Sequence, residues 1–330
     1  MKIFTAPDGV FEIQIPIDWD YRNEIFGFKN ESPFSFEPFK NSLGCFQLSY
    51  YKKEKDKYQG FKNNHNYFQN NLKFEKGILE DNDNFKIITW ATTVQDYFFM
   101  AKYIYQPKKV NQKDINKEID KVENVLSSLM CIEPKSRLQA KHFFRFEKFN
   151  AALAATFDLK YKAFKNKSPI EIIVLNANQI DAYLRLAIVL KYQISEKTDL
   201  FRLEYLFQDE SDRPIMEKQI YKKALELQII NQIVYDKLFE LYNKRNKVVH
   251  RYIITDIKTF NLHEYAYQYE QIAEDIRVVL EKIEKEQFEK KVGYYKSKNP
   301  HREKNINEIN WLKSLVNEKH FMNNFYRDLK

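Results

Sequence analysis

The stretch "KDINKEIDKVENVLSSLMCIEPKSRLQAKHFF", Lys113 to Phe144, is where the chain changes character. In its first part Ile115, Ile119, Val122 and the Val125/Leu126 pair recur every three or four residues, the spacing of one apolar helix face. Pro134 and the following Lys-Ser-Arg interrupt that pattern and mark a domain boundary. Segments before it read as strands, and segments after it read as helices.

Upstream, "GVFEIQIPIDW" (Gly9–Trp19) alternates around Phe11, Ile13, Ile15 and Ile17, the period of a half-buried strand. "GCFQLSYYKK" and "FKIITWATTVQDYFFMAKYIYQ" continue the pattern between Pro, Gly and Asn breaks. An antiparallel sheet closed by the helix after Gln112 is the economical α+β arrangement for residues 1–134. Trp19 and Trp90 read as core anchors, and His65, in an Asn-rich loop, as a surface histidine.

Downstream, five helical runs follow at short intervals, which implies an antiparallel bundle over residues 138–290. The second carries Pro169 in its first turn after a Ser168 cap. The third is expected to start at an Asp212 cap with Pro214 in its first turn, and the last to run from about Asn261 to Lys290. Residues 291–330 form a basic tail with a helix expected to dock through Trp311, Leu312, Leu315 and Val316. Gly293 is the one glycine after Gly77, so a phosphate-cradling glycine loop is excluded from this half.

With 330 residues, 44% apolar and 30% charged, the composition is that of a globular chain long enough for two cores. The two cysteines, Cys45 and Cys131, lack the spacing of a thiolate metal site or a disulfide framework. The start has no signal-peptide pattern and no apolar run approaches membrane length, so a soluble, cytoplasmic protein with no membrane association is expected. Residues 1–135 hold equal numbers of basic and acidic side chains, so the net charge of +8 resides entirely in the second half. A basic surface of this kind suits phosphate binding.

One run concentrates chemistry: "YNKRNKVVHRY", Tyr242–Tyr252. Arg245 offers a planar fork for phosphate, and an imidazole such as His250 exchanges protons near neutrality. Asn246 can orient the histidine or donate to a phosphate oxygen. Five residues apart, Arg245 and His250 stand about 140° around a regular helix and do not aim at one point. Either the helix ends or distorts near His250, or two copies of the segment meet across a twofold dimer.

The run resembles the signature of HEPN domains, helical bundles marked by Arg, a polar residue, and His after four to six positions. "RNKVVH" has the Arg, an Asn directly after it and a four-residue gap, and Tyr252 extends it to the Arg-x4-His-x-Tyr form of HEPN toxins paired with a nucleotidyltransferase antitoxin. "NQIDAYLRLAIVLK" and "IYKKALELQIINQIVYDKLFELYNKRNKVVHRYI" are similar to the helices that lead to the motif in that superfamily.

The resemblance implies a dimeric endoribonuclease that needs neither metal nor cofactor, in a toxin or anti-phage setting, with RNA as substrate. Arg245 would bind phosphate, His250 act as acid and base, and Asn246 assist. Arg251 would be an auxiliary phosphate contact and Tyr252 a position for regulatory adenylylation by an antitoxin. Asp181 and Arg185, one turn apart, either face the same cleft or form an ion pair within the bundle.

The N-terminal order, with "P-x-G-x-F-x-I-x-x-P-x-x-W" at Pro7–Trp19, resembles a PsbP-like domain, implying a sensor or partner-binding module. The alternatives are a non-catalytic HEPN module that binds RNA or a nucleotide or dimerises, and an immunity or chaperone-like factor in which the motif is accidental.

Overall fold

The computed structural model describes residues 1–23, 31–53, 63–64, 72–82, 84–208, 212–322 and 324–330. His65 lies outside the described residues. The chain forms two compact units, one of Met1–Phe144 with Asn305–Lys330, the other of Arg145–Lys304.

The first unit contains strands β1 (Lys2–Thr5), β2 (Phe11–Ile15), β3 (Trp19–Tyr21), β4 (Phe34–Pro38), β5 (Gly44–Lys52), β6 (Asn63–Asn64), β7 (Glu75–Asp81), β8 (Lys86–Val94) and β9 (Tyr97–Tyr105). Helix α1 (Gln112–Ser127) and β10 (Met130–Cys131) follow. A small sheet has the order β1-β2-β10, and a larger one the order β3-β4-β5-β9-β8, where β8 also pairs with β6 and β7. Every pairing is antiparallel except that of β6 with β8.

The alternation read from the sequence is realised in β2, where Phe11, Ile13 and Ile15 are buried and Gln14 faces out. Ile17 stands past the end of the strand and is half-buried. On α1, Ile115, Val122, Val125 and Leu126 are buried, and Ile119 packs partly buried against the same core. Trp19 and Trp90 are core residues, as expected. The centre of this core is aromatic: Phe4 lies within 4.9–6.1 Å of the rings of Phe11, Tyr21, Phe34, Phe36 and Phe144. Such tilted and edge-on contacts add to the burial of each ring.

Pro134 follows β10, and the division between the two compact units falls later, after Phe144. The proline opens α2 (Pro134–Lys165), where its missing N–H falls among those a helix start leaves unbonded anyway. Helix α3 (Pro169–Glu196) follows, with Ser168 at the N-cap position but making no side-chain capping bond. Next come α4 (Glu217–Glu226), α5 (Gln232–Arg251) and α6 (Thr259–Lys290).

The start expected at Asp212 and Pro214 is not used. Met216 is the N-cap of α4, and its N–H is satisfied by the Gln219 side chain at 2.8 Å. Asn231 caps α5 by accepting from the Val234 N–H at 3.0 Å.

An 18-residue window of α3 has mean hydropathy 1.3, enough by length and composition to cross a membrane, where the sequence reading expected no such run; 67% of that window is buried in the protein. The partner of α3 is α6. Asn176 Nδ2 donates to Glu270 Oε2 at 2.8 Å, and Gln287 Nε2 donates to the Leu190 carbonyl at 2.9 Å. Gly293 sits at φ +76, and a Cβ there would come within 2.5 Å of the buried Gln287 amide, so both conformation and space require glycine.

The last helix, α7 (Ile306–Lys319), belongs to the first unit. It opens with a reciprocal cap in which Asn305 accepts from the Glu308 N–H and Glu308 accepts from the Asn305 N–H. Leu315 and Val316 are buried as expected, while Trp311 and Leu312 are half-buried. Lys2 and Glu318 form an ion pair at 2.6 Å with both side chains almost wholly enclosed, fixing α7 to β1.

Candidate functional site

The stripe on α5 decides where the Arg/His run points. Leu238, Leu241 and Val248 are its buried residues. Arg245 stands four positions after Leu241 and three before Val248, so it shares their face. His250, two residues past Val248, is turned about 200° away from it and is exposed. Helix α5 continues to Arg251 and passes into a 3-10 turn at Tyr252–Ile254, so it neither ends nor distorts between Arg245 and His250. Within one chain the two residues are not brought to one point.

Arg245 is instead held inside the helical unit. Its Nη2 donates to Glu217 Oε2 at 2.5 Å, with side chains only 19% and 15% exposed. Its guanidinium lies 5.0 Å from the centre of the Tyr242 ring. Tyr221, one turn along α4 from Glu217, donates its hydroxyl to the other Glu217 oxygen. Burial raises the Tyr221 phenol strongly, and the Glu217 carboxylate raises it further, so it remains a hydrogen donor. Tyr269 closes the floor, its buried hydroxyl donating to the Leu241 carbonyl at 2.8 Å.

Asp181 and Arg185 stand beside this group as an ion pair, with Arg185 Nε donating to Asp181 Oδ2 at 2.6 Å. The remaining nitrogens of Arg185 reach the backbone carbonyls of Tyr205 at 3.3 Å and Ile215 at 2.9 Å. That clamp holds the approach to α4 extended and explains why the helix starts late. Of the two roles open to Asp181 and Arg185, the structural ion pair is the one observed.

Burial raises the Asp181 carboxyl; Arg185 counters it, Glu217 adds to it, and Arg245 lowers it. Asp181 Oδ1 and Arg245 Nε are buried without a hydrogen-bond partner among the described residues. Two carboxylates and two guanidiniums thus form one electrically balanced cluster.

The other residues of the run face outward. Arg251 and Lys247 are exposed, Tyr252 is 37% exposed, and Asn246 is half-buried. In the sequence that follows His250, large apolar side chains are bare: Ile253 is 95% exposed, Ile254 80% and Phe260 76%. The cysteines are poor nucleophiles, because burial pushes the Cys131 thiol up to about 11 and the Cys45 thiol, with help from Glu37, to about 12. Among the described residues no group of three or more His, Cys, Asp or Glu side chains could hold a metal ion.

Sequence reasoning missed Glu217 and Tyr221. The stripe Leu238–Leu241–Arg245–Val248 was the available signal that Arg245 points inward, and an inward arginine requires an acidic partner.

No family model matches the chain, and no curated protein matches it. A crystal structure from Bacteroides thetaiotaomicron VPI-5482, at 1.50 Å resolution, is similar over 53% of this chain and 68% of that one, with 16% identity and a TM-score of 0.28.

Proposed function

We propose that the chain is a metal-independent endoribonuclease of HEPN type, with residues 1–134 forming a PsbP-like module for sensing or partner binding. The observation that carries this reading is the placement of the run. His250 is exposed at the end of α5, with the cations Lys247 and Arg251 near it in the helix and the bare Ile253 and Ile254 in the turn that follows. Apolar surface of that kind is stabilised by being covered, and a twofold contact sets the same patch against itself. Such a contact would bring the His250 of one copy toward the α5 helix of the other and supply the convergence that a single chain lacks.

The chemistry follows from the residues. The 2′-hydroxyl of RNA attacks the adjacent phosphorus, forming the bond to O2′ and breaking the bond to O5′. His250 exchanges the protons, taking one from O2′ or giving one to the departing O5′, and a guanidinium offsets the charge gathered on the phosphoryl oxygens. Glu217 keeps Arg245 in a single orientation. The products carry a 2′,3′-cyclic phosphate and a 5′-hydroxyl. A toxin or anti-phage role, with an antitoxin or sensor protein as partner, is part of the same proposal.

The Arg245–Glu217 pair favours a second reading, a non-catalytic HEPN module that binds RNA or a nucleotide or dimerises, because a guanidinium neutralised by carboxylate offers less to a phosphate. End-labelled RNA incubated with the protein in excess EDTA separates the two. Fragments ending in 2′,3′-cyclic phosphate are expected; affinity without any product would leave the binding module.

A further inference from the structure

Helix α5 carries a second stripe besides its buried one. Tyr235, Phe239 and Tyr242 recur at intervals of four and three, the spacing of one helix face. Counting about 100° per residue from Tyr235, Phe239 stands at about 40°, Tyr242 at about −20° and Asn246 at about 20°. The buried Leu238, Leu241 and Val248 stand at about −60°, −120° and −140°, so the aromatic row is not the packing face. Arg245, at about −80°, and His250, at about 60°, flank the row on its two sides, and the row runs into the motif.

The rings are partly open to solvent. Phe239 is 37% exposed, Tyr235 and Tyr242 are half-buried, and the rings of Tyr235 and Phe239 stand 6.3 Å apart. Cations border them. Lys218, on α4, sets its ammonium 4.3 Å from the centre of the Phe239 ring and 4.6 Å from that of Tyr242. A ring face that admits an ammonium also admits a flat base, and the flexible lysine stem can swing its charge aside. Lys222 is exposed one turn further along α4, about 6 Å away along the axis. Neither lysine has a carboxylate partner among the described residues. Of the acids on α5, Glu240 is bound by Lys244 at 2.5 Å, and Asp236, at about 100°, stands off the row.

Aromatic faces beside uncompensated cations are complementary to one class of polymer. A single nucleic-acid strand presents a flat base and a phosphate at every step, and surfaces of this kind hold it by stacking the bases while lysines take the phosphates. A duplex keeps its base faces stacked inside. An apolar protein surface laid on the row would bury the two ammoniums without partners, at the cost of their hydration.

We propose that the row is the track of a single RNA strand: unpaired bases stack on Tyr235, Phe239 and Tyr242, Lys218 and Lys222 bind phosphates, and the strand continues past Asn246 toward the Arg245/His250 run. That the strand is RNA rests on the ribonuclease reading. The three rings set affinity and the requirement for unpaired bases, and they take no part in the proton transfers.

The test reads binding without turnover. In 2′-O-methyl RNA the attacking hydroxyl is capped, so a fluorescent single strand of about twelve nucleotides reports affinity by anisotropy whether or not the chain cleaves RNA. The full chain is expected to bind it at least about tenfold more tightly than the same sequence in a duplex. Phe239→Leu should weaken binding about tenfold, and Phe239→Tyr, which keeps the ring, should bind as wild type does. K218Q/K222Q should flatten the slope of log affinity against log salt by about 1.4, two phosphate contacts at about 0.7 each, and it supplies an answer even where F239L does not fold. Equal affinity for strand and duplex, an F239L protein that binds as tightly as wild type, or an unchanged salt slope overturns the proposal.

Unmodified RNA separates the track from the reading it rests on. Binding that depends on Phe239 and Lys218, with no product formed, supports the track and removes the nuclease. Product formed by F239L with an unchanged KM keeps the nuclease and overturns the track.

Discussion

Replacing Arg245 with alanine lowers the stability of the chain by about 3 kcal/mol. The expectation rests on what remains behind. Glu217, 15% exposed, keeps the Tyr221 hydroxyl but loses its ion-pair partner, and Asp181 nearby loses a cation that lowers its pKa. One partner of a half-enclosed pair is costlier to remove than the pair as a whole, because a charge stays in poor solvent unmatched.

The sign with pH follows from Asp181. Its carboxyl is raised by burial, so its contribution favours the folded state at low pH and is lost as pH climbs through the folded value. Loss of Arg245 enlarges that penalty. The deficit of R245A should therefore be greater near pH 7 than near pH 4, where free carboxyls are about half protonated. Urea unfolding at the two values measures it, and an equal deficit at both would separate Arg245 from the carboxylates. Arg245→Lys keeps the charge and should recover most of the loss.

His250→Ala is expected to behave in the opposite way. The side chain is exposed and has no hydrogen-bond partner among the described residues, so the melting temperature should not move. Cleavage of RNA, on the proposed reading, should fall by about a hundredfold or more, the usual contribution of a positioned acid–base group. A variant that folds as well as wild type and cleaves as fast would remove His250 from the chemistry. The contrast matters for interpreting any mutant pair: an inactive R245A is ambiguous between lost chemistry and lost structure, and an inactive H250A is not.

Much of the fold was legible in the sequence because it is dictated locally. Alternation in Phe11–Ile15 and the three-to-four spacing from Ile115 to Leu126 are properties of a short stretch, and both elements form where the pattern says. The start of α4 was not legible. Asp212 and Pro214 are good helix openers, but the Ile215 carbonyl is claimed by Arg185, thirty residues earlier in the chain, and propensity yields to that contact.

The candidate site divides along the same line. That Arg245 and His250 stand about 140° apart came from helix geometry alone. That Arg245 is bound to Glu217 depends on how α4 and α5 pack, and no spacing within the motif encodes it. The aromatic row was invisible for a related reason: Tyr235, Phe239 and Tyr242 have the spacing of any half-buried helix face until Lys218 of α4 stands over them.

If two copies complete one site, two proteins defective in different halves of it restore cleavage when mixed. R245K keeps the internal ion pair but lacks the guanidinium fork, and H250A keeps the fork but lacks the imidazole. Each alone should leave RNA intact in EDTA. After co-refolding, with hybrid dimers verified by differently sized tags, the mixture should regain cleavage to 2′,3′-cyclic phosphate ends. Hybrid dimers that form and still leave the RNA intact would show that the two copies do not share a site.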